Sequence, residues 1–290
     1  MASNNKQLAI QNITSFANSE HYQNLFKSAL GKKAGQFTTS IIELTTNDAQ
    51  LQQCDQRLVI AEAAKAATLD LPLNRQIGYS YVVCFKNKGV PTPTLIISAR
   101  GWIQLAMRTG QYKYLNADVV YEGELEHKDK LTGEIWLTGE RTSDKVIGFF
   151  AHLTLLNGFT KTIYMSLAEM AHYAKIYSPT IKFDNSITED TLKQLIQKVS
   201  DNGPVAGVVG WKGDPVSMAI KTVLKRLIYK FGYVSTEMAT AMGADETPDA
   251  PADSESANNE TKVIDVTDQS QEVVDTETGE VAVDTEECPV

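Results

Sequence analysis

The stretch 95–120, LIISARGWIQLAMRTGQYKYLNADVV, changes its hydrophobic period twice, and that change decides the fold class. Residues 94–98 read as a strand and residues 100–109 as a short helix. Gly110 closes that helix, because glycine accepts the left-handed backbone that ends a helix. A further strand is expected at residues 115–121. Upstream, Ile77, Tyr79, Tyr81, Val83 and Phe85 alternate with Gly78, Ser80, Val82 and Cys84, a strand pattern, and a turn over residues 87–93 joins it to the strand at 94. Downstream, strands are expected at 134–141, 146–156 and 159–165, the last two joined by the hairpin signal Asn157-Gly158.

Helices flank these strands. Leu25, Phe26, Ala29 and Leu30, then Leu58, Ile60, Ala61, Ala64 and Leu69, recur at helical spacing, so residues 1–70 read as helical. Leu71-Pro72-Leu73 ends that region, since the residue before proline is pushed out of the helical basin. Ser166 with Glu169 makes a capping box for a helix running to Tyr177, where Ser178-Pro179 stops it. A second helix is expected at 189–199. Asp214 as N-cap and Pro215 at the first helical position open the last, which extends to Phe231. The expected architecture is α+β, a largely antiparallel β-sheet core with packed helices. It divides into a helical region at 1–70, an α+β core at 71–243 and a tail at 244–290.

Composition limits what such a chain does. Of 290 residues, 42% are hydrophobic and 22% charged, ordinary values for a globular protein with a sizeable core. Cys54, Cys84 and Cys288 are far apart and form no C-x-x-C pair, which argues against a disulfide framework or zinc site and fits a reducing cytoplasm. The opening MASNNKQLAIQN has no basic region followed by an apolar run, so no secretory signal is expected. No run of apolar residues is long enough to span a membrane. The formal charge of −9 is unevenly distributed. Residues 244–290 hold fifteen Asp/Glu against one lysine, a net of −14, whereas the preceding 243 residues hold 26 Lys/Arg against 21 Asp/Glu, a net of +5. The tail lacks aromatic residues and is expected to be disordered, because it buries too little apolar surface to offset its ordering entropy.

Catalytic patterns are absent. No glycine-rich loop leads into Lys-Ser or Lys-Thr, there is no G-x-S-x-G, and no cofactor site is expected. Glu122, Glu124, Glu126 and Asp129 would suit a two-metal nuclease, an alternative class, but they sit beside Lys128 and Lys130 where solvated charge is the plainer reading. Binding patterns are clearer. Arg100, Gln104 and Arg108 stand at i, i+4 and i+8, and Tyr112, Lys113 and Tyr114 follow. This suits phosphate contact and base stacking, or else a solvated helix face beside core tyrosines. On the last helix Lys221 and Lys225 are one turn apart, with Arg226 and Lys230 nearby. Trp211-Lys212 precede its N-terminus, where they either grip a phosphodiester or, for Trp211, plug the core. A mildly basic body with aromatics near its cations points to single-stranded nucleic acid.

The same residues carry a family resemblance. The stretches 69–85 (LDLPLNRQIGYSYVVCF) and 95–120, with MAIKTVLKRLIYKFG near the end of the body, resemble the phage RecT recombinase family. The most specific parts are A-R-G-W-I-x-L-A-x-R-T-G-Q and K-T-x-x-K-R-L. The resemblance implies an ATP-independent single-strand annealing protein of homologous recombination. It would coat single-stranded DNA and pass through an annealed duplex intermediate. It would assemble as a homo-oligomer, a ring or a helical filament, beside a companion 5′-to-3′ exonuclease. Its fold would be distantly like the eukaryotic strand-annealing ring proteins, with no ATPase core. Arg100, Arg108, Lys221, Lys225 and Arg226 inherit the expectation of DNA contact. The family's Gly-Pro-Trp is replaced here by Gly203-Pro204-Val205 with Trp211-Lys212 further on. The acidic tail would compete with DNA or dock a host single-strand DNA-binding protein. A structural phage protein that only oligomerises is the remaining alternative.

Overall fold

The helical spacing of the first seventy residues produces four helices in a computed structural model that describes residues 2–87, 89–208 and 210–245. They are α1 (Ala2–Ala17), α2 (Glu20–Leu30), α3 (Ala34–Asn47) and α4 (Gln56–Thr68). Asp55 starts α4 by accepting from the Arg57 N–H at 2.8 Å. Ile13, Phe26, Ile41, Leu51 and Ile60 meet in one core, which also takes Val82 and Leu95 from the hairpin that follows.

That hairpin is β1 (Ser80–Asn87) paired antiparallel with β2 (Val90–Ile97). Two expectations fail here. The first strand begins at Ser80 and not Ile77, because Gly78 closes a turn by donating to the Asn74 carbonyl at 2.9 Å. The second begins at Val90 and not Thr94, despite Pro91 and Pro93. Those prolines pair with Lys86 and Cys84 at alternate positions whose missing N–H faces away from β1. The next such position, Leu95, turns its N–H outward to the Glu62 carboxylate at 2.8 Å.

Ser98 caps α5 (Ala99–Arg108) by accepting from the Gly101 N–H at 3.1 Å. After Gly110, at φ 65°, come β3 (Tyr112–Tyr121), β4 (His127–Lys128), β5 (Ile135–Trp136), β6 (Val146–Leu155) and β7 (Thr160–Ser166). Strands β3, β6 and β7 form an antiparallel sheet in the order β3-β6-β7, while β4 and β5 make a separate small hairpin. The strand expected at 134–141 is thus only two residues long, because the close approach of Gly139 to the Gly123 carbonyl bends the chain out of pairing.

The helices after the sheet are α6 (Leu167–Tyr177), α7 (Pro179–Lys182), α8 (Glu189–Asn202), α9 (Pro215–Phe231) and α10 (Thr236–Ala244). Phe149, Ala151 and Leu153 of β6 alternate onto the face covered by Ala219, Val223 and Leu227 of α9, Met170 of α6 and Ile196 of α8. A third core joins the two halves: Trp102 and Leu105 of α5 meet Leu69, Leu224, Ile228, Met238 and Ala241. The mixed helix–strand class with antiparallel sheets is as the sequence indicated. Helix α10 was not anticipated, and it buries Ala244 and Asp245, the first two residues of the stretch read as an acidic tail. The remainder of that stretch, 246–290, with its expected disorder and Cys288, lies outside the described residues. No helix of the described residues is long and apolar enough to cross a membrane.

Gly101 fixes how α5 meets the hairpin, since a Cβ there would collide with the Tyr79 carbonyl and the Ile97 side chain. Gly101→Ala should therefore cost about 2–3 kcal/mol, the range for overpacking a tight site. A urea denaturation midpoint would read the loss, and Gly35→Ala, where a Cβ meets nothing within 4 Å, serves as the comparison.

Candidate nucleic-acid interface

Strand β7 is the edge of its sheet, and the chain arranges cations and aromatic rings along it. Tyr164 is fixed by donating its hydroxyl to the Ile147 carbonyl at 3.0 Å, and the ammonium of Lys128, on β4, sits 5.2 Å from its ring. Lys161 of β7 and Lys230 of α9 approach the Phe231 ring at 5.5 and 5.7 Å. The Arg226 guanidinium lies 5.0 Å from the ring of Tyr173, which in turn stacks on Tyr177 at 4.5 Å. The β4–β5 hairpin forms the neighbouring wall, where Lys161 Nζ donates to the Thr132 carbonyl at 3.5 Å and His127 packs on the exposed Trp136 at 5.2 Å.

Helical geometry explains why α9 can serve both a core and this edge. Arg226 and Lys230 are one turn apart and share a face, whereas Lys225 is turned about 100° from Arg226. Lys128, Lys161, Arg226 and Lys230 form no ion pair with the described residues. A cation over a ring is held by about 0.5–1 kcal/mol at an exposed site and about 2 kcal/mol where desolvated, as for Arg226 on the buried Tyr173, so the four remain available to an anion that replaces those contacts.

Acidic groups are few here and otherwise engaged. Glu169 is partly buried, which raises its pKa, but the Ser166 N–H and hydroxyl, then Lys128 and Arg226, outweigh that and hold it below the ordinary carboxylate value. The carboxylates considered for a nuclease stabilise their own loop. Glu122 accepts from Ser143 and Lys145, Glu124 from the Tyr121 N–H, Glu126 from Thr138, and Asp129 from the Leu131 N–H. No group of three His, Cys, Asp or Glu suited to a metal occurs among the described residues. On the outer face of the sheet His152 bonds Thr162 and Thr154 at 2.8 and 3.1 Å, and burial lowers its pKa.

The residues singled out from the sequence do not form one site. Arg226 alone lines the β7 edge. Tyr112 is half-buried, donates to the Tyr233 carbonyl at 3.1 Å beside the end of α9, and is pushed up to about 12 by burial. Lys113 stands exposed at a β-bulge, 5.3 Å from the ring of Tyr114. Arg100 is exposed at the start of α5 and has no ion pair with the described residues. Arg108, read as its partner on an open face, is a clamp instead: it donates to the Leu69 and Asp70 carbonyls at 2.6 and 2.7 Å and pairs with Glu237 at 3.2 Å.

Trp211 plugs the core, at 1% exposure, and does not face a ligand. Lys212 pairs with Asp184 at 2.6 Å, and that contact, with hydrogen bonds from Ser186, holds the Asp184 carboxyl well below its usual range. Lys221 and Lys225, read as outward-facing, are buried, and Lys225 meets Asp245 at 3.0 Å. The core closes on α9 from the sheet on one side and from Trp102 and α10 on the other, so few of its positions stay open. Sequence reasoning passed over Lys128, Lys161, Tyr164, Tyr173 and Phe231, and treated Lys230 as a helix-end charge. The strand alternation of TKTIYMS gives no signal for this grouping, since it puts Lys161, Ile163 and Met165 on one side and Thr162 and Tyr164 on the other.

Comparison with known proteins agrees with the family motifs. A family model described as "RecT family" matches residues 35–263. The uncharacterized protein YqaK of Bacillus subtilis is 37% identical over 256 residues, which cover 87% of this chain and 75% of YqaK. Protein RecT of Escherichia coli is 30% identical over 227 residues, which cover 74% of this chain and 73% of that protein.

The Ser166–Glu169 box makes a pH-dependent contribution of known sign. Because the folded-state pKa of Glu169 is lowered, its stabilisation is complete above the unfolded-state value and is lost as pH falls through the folded one. Thermal melts of Glu169→Gln and the unaltered chain should differ most near neutrality and converge in acid. A gap independent of pH would show that the carboxylate charge plays no part.

Proposed function

The chain belongs to the RecT family, and from that premise we propose that it binds single-stranded DNA along the β7 edge and promotes pairing of complementary strands. The observation that carries the reading is the group of four cations that form no ion pair with the described residues, each over an aromatic ring. Phosphates would replace ring faces around Lys128, Lys161, Arg226 and Lys230, and bases would stack on the exposed parts of Trp136, Tyr177 and Phe231. Such contacts accept any sequence. Base edges left free would then meet a second strand, and base pairing itself supplies the driving force. No nucleotide-binding loop is needed, which supports ATP independence.

Adjacent copies would continue the row, so binding would be cooperative along the strand within a ring or filament. The companion exonuclease that exposes the strands, a host single-strand DNA-binding protein and a cytoplasmic setting belong to the same reading. Arg100 and Lys113, exposed on α5 and β3, are secondary contacts in it.

The test combines binding and annealing. Lys161→Ala/Arg226→Ala/Lys230→Ala should weaken binding of a labelled oligonucleotide and flatten the plot of log affinity against log salt by about two to three, one counterion per lost cation. It should also slow duplex formation from two complementary labelled strands mixed without nucleoside triphosphate. The unaltered protein, given Mg²⁺, should join strands without shortening them; shortening would instead assign a nuclease. A salt dependence unchanged in the triple variant would remove these residues from the binding surface.

A further inference from the structure

Of the four family-motif cations left unused by the β7 edge, Arg100 is exposed, whereas Arg108, Lys221 and Lys225 are held by the fold. Arg108 and Lys225 are covered by the same element. Helix α10 opens with Glu237, whose carboxylate meets Arg108 Nη1 at 3.2 Å, and closes on Asp245, whose carboxylate meets Lys225 Nζ at 3.0 Å. The second pair is sealed, with side chains 1% and 0% exposed. Between these ends the docking is slight. Met238 is the large side chain that α10 buries fully, Met242 packs partly buried beside it, and Ala241 and Ala244 supply the rest. Beneath it the Trp102 indole N–H and the Tyr229 hydroxyl are buried without a hydrogen-bond partner among the described residues. This is an element held at both ends by charge and poorly matched between them.

We propose that residues 236–245 form a charge-pinned strap over a second cationic surface, that of Arg108 and Lys225, and that single-stranded DNA displaces it. The inference rests on the reading of the β7 edge as a DNA-binding surface and adds its regulation. A polyanion is the natural competitor, because phosphates satisfy the cations that Glu237 and Asp245 hold and their release of counterions favours the exchange at low salt. Displacement would open a row on the α5 side of α9, apart from the first, where a second strand's phosphates could be held.

Hydrogen exchange on the full chain, with and without a saturating oligonucleotide at low salt, tests this directly. DNA should accelerate exchange of the 236–245 amides about tenfold or more, since a displaced helix loses its protection. Glu237→Gln/Asp245→Asn should bind the oligonucleotide more tightly, with a salt slope steeper by about two, one for each cation released from its carboxylate. DNA that binds while those amides exchange at the same rate or more slowly overturns the strap and leaves the β7 reading intact. Failure of the unaltered protein to bind any oligonucleotide overturns both. If the double variant does not fold, the exchange measurement on the unaltered chain decides.

Discussion

Helix α9 must be buried on almost every side, because the inner face of the β3-β6-β7 sheet and the Trp102 side of α5 both close against it. Val223 and Leu227 face the sheet, while Leu224 and Ile228 face Trp102. A helix in that position has few directions left for charge. Arg226 and Lys230 leave through the gap beside β7. Lys221 and Lys225 have no such gap and end inside. A buried ammonium is tolerable only with a carboxylate partner, and removing one member of such a pair typically costs about 3–5 kcal/mol. The fold therefore requires something acidic on the α5 side of α9, and α10 delivers Asp245 there. The architecture of the whole second half follows from this one helix having two apolar faces.

Arg108 meets the same demand by other means. Its guanidinium satisfies two carbonyls at the end of the helical region, Leu69 and Asp70, and Asp70 adopts a left-handed φ of 45° there. Its planar fork suits that task in a way that a lysine would not. The residue thus ties α4, α5 and α10 together, and its charge is the price of a tight junction. Sequence motifs rich in cations mix two uses of charge, some holding the fold together and some left open to a ligand.

That mixture explains what was legible beforehand. The helices and strands were readable where period and caps agree, as in Ser166–Glu169, Asn157-Gly158 and Asp214-Pro215. Boundaries slipped where glycine or proline acts through tertiary position: Pro91 and Pro93 sit harmlessly on an outer edge, and Gly139 bends a strand out of its ladder. Helix α10 was invisible because its sequence, TEMATAMGA, is nearly featureless and forms against a surface that only the folded body provides. The site was less readable than the fold. Spacing grouped Lys221 and Lys225 one turn apart with Arg226 and Lys230 nearby, but it gave no means of seeing that positions 221 and 225 are covered. The partners of Arg226 and Lys230 are Tyr173 and Phe231, and Lys161 joins the latter from β7 through pairings no local pattern encodes.

The two cation rows differ in what it takes to open them, and this orders their use. Along β7 each cation rests on an aromatic ring, a contact worth about 0.5–1 kcal/mol at the exposed positions and about 2 kcal/mol for Arg226 on the buried Tyr173, which a phosphate can replace. On the α5 side the Lys225–Asp245 pair is sealed, so its separation carries a desolvation penalty of several kcal/mol that a single phosphate does not supply. Only an anion already held nearby, at high local concentration, competes for it. A strand seated along β7 meets that condition, since it brings further phosphates to the same helix without a second loss of translational freedom. On the proposed reading the β7 cations would therefore be engaged first and the sealed pair second.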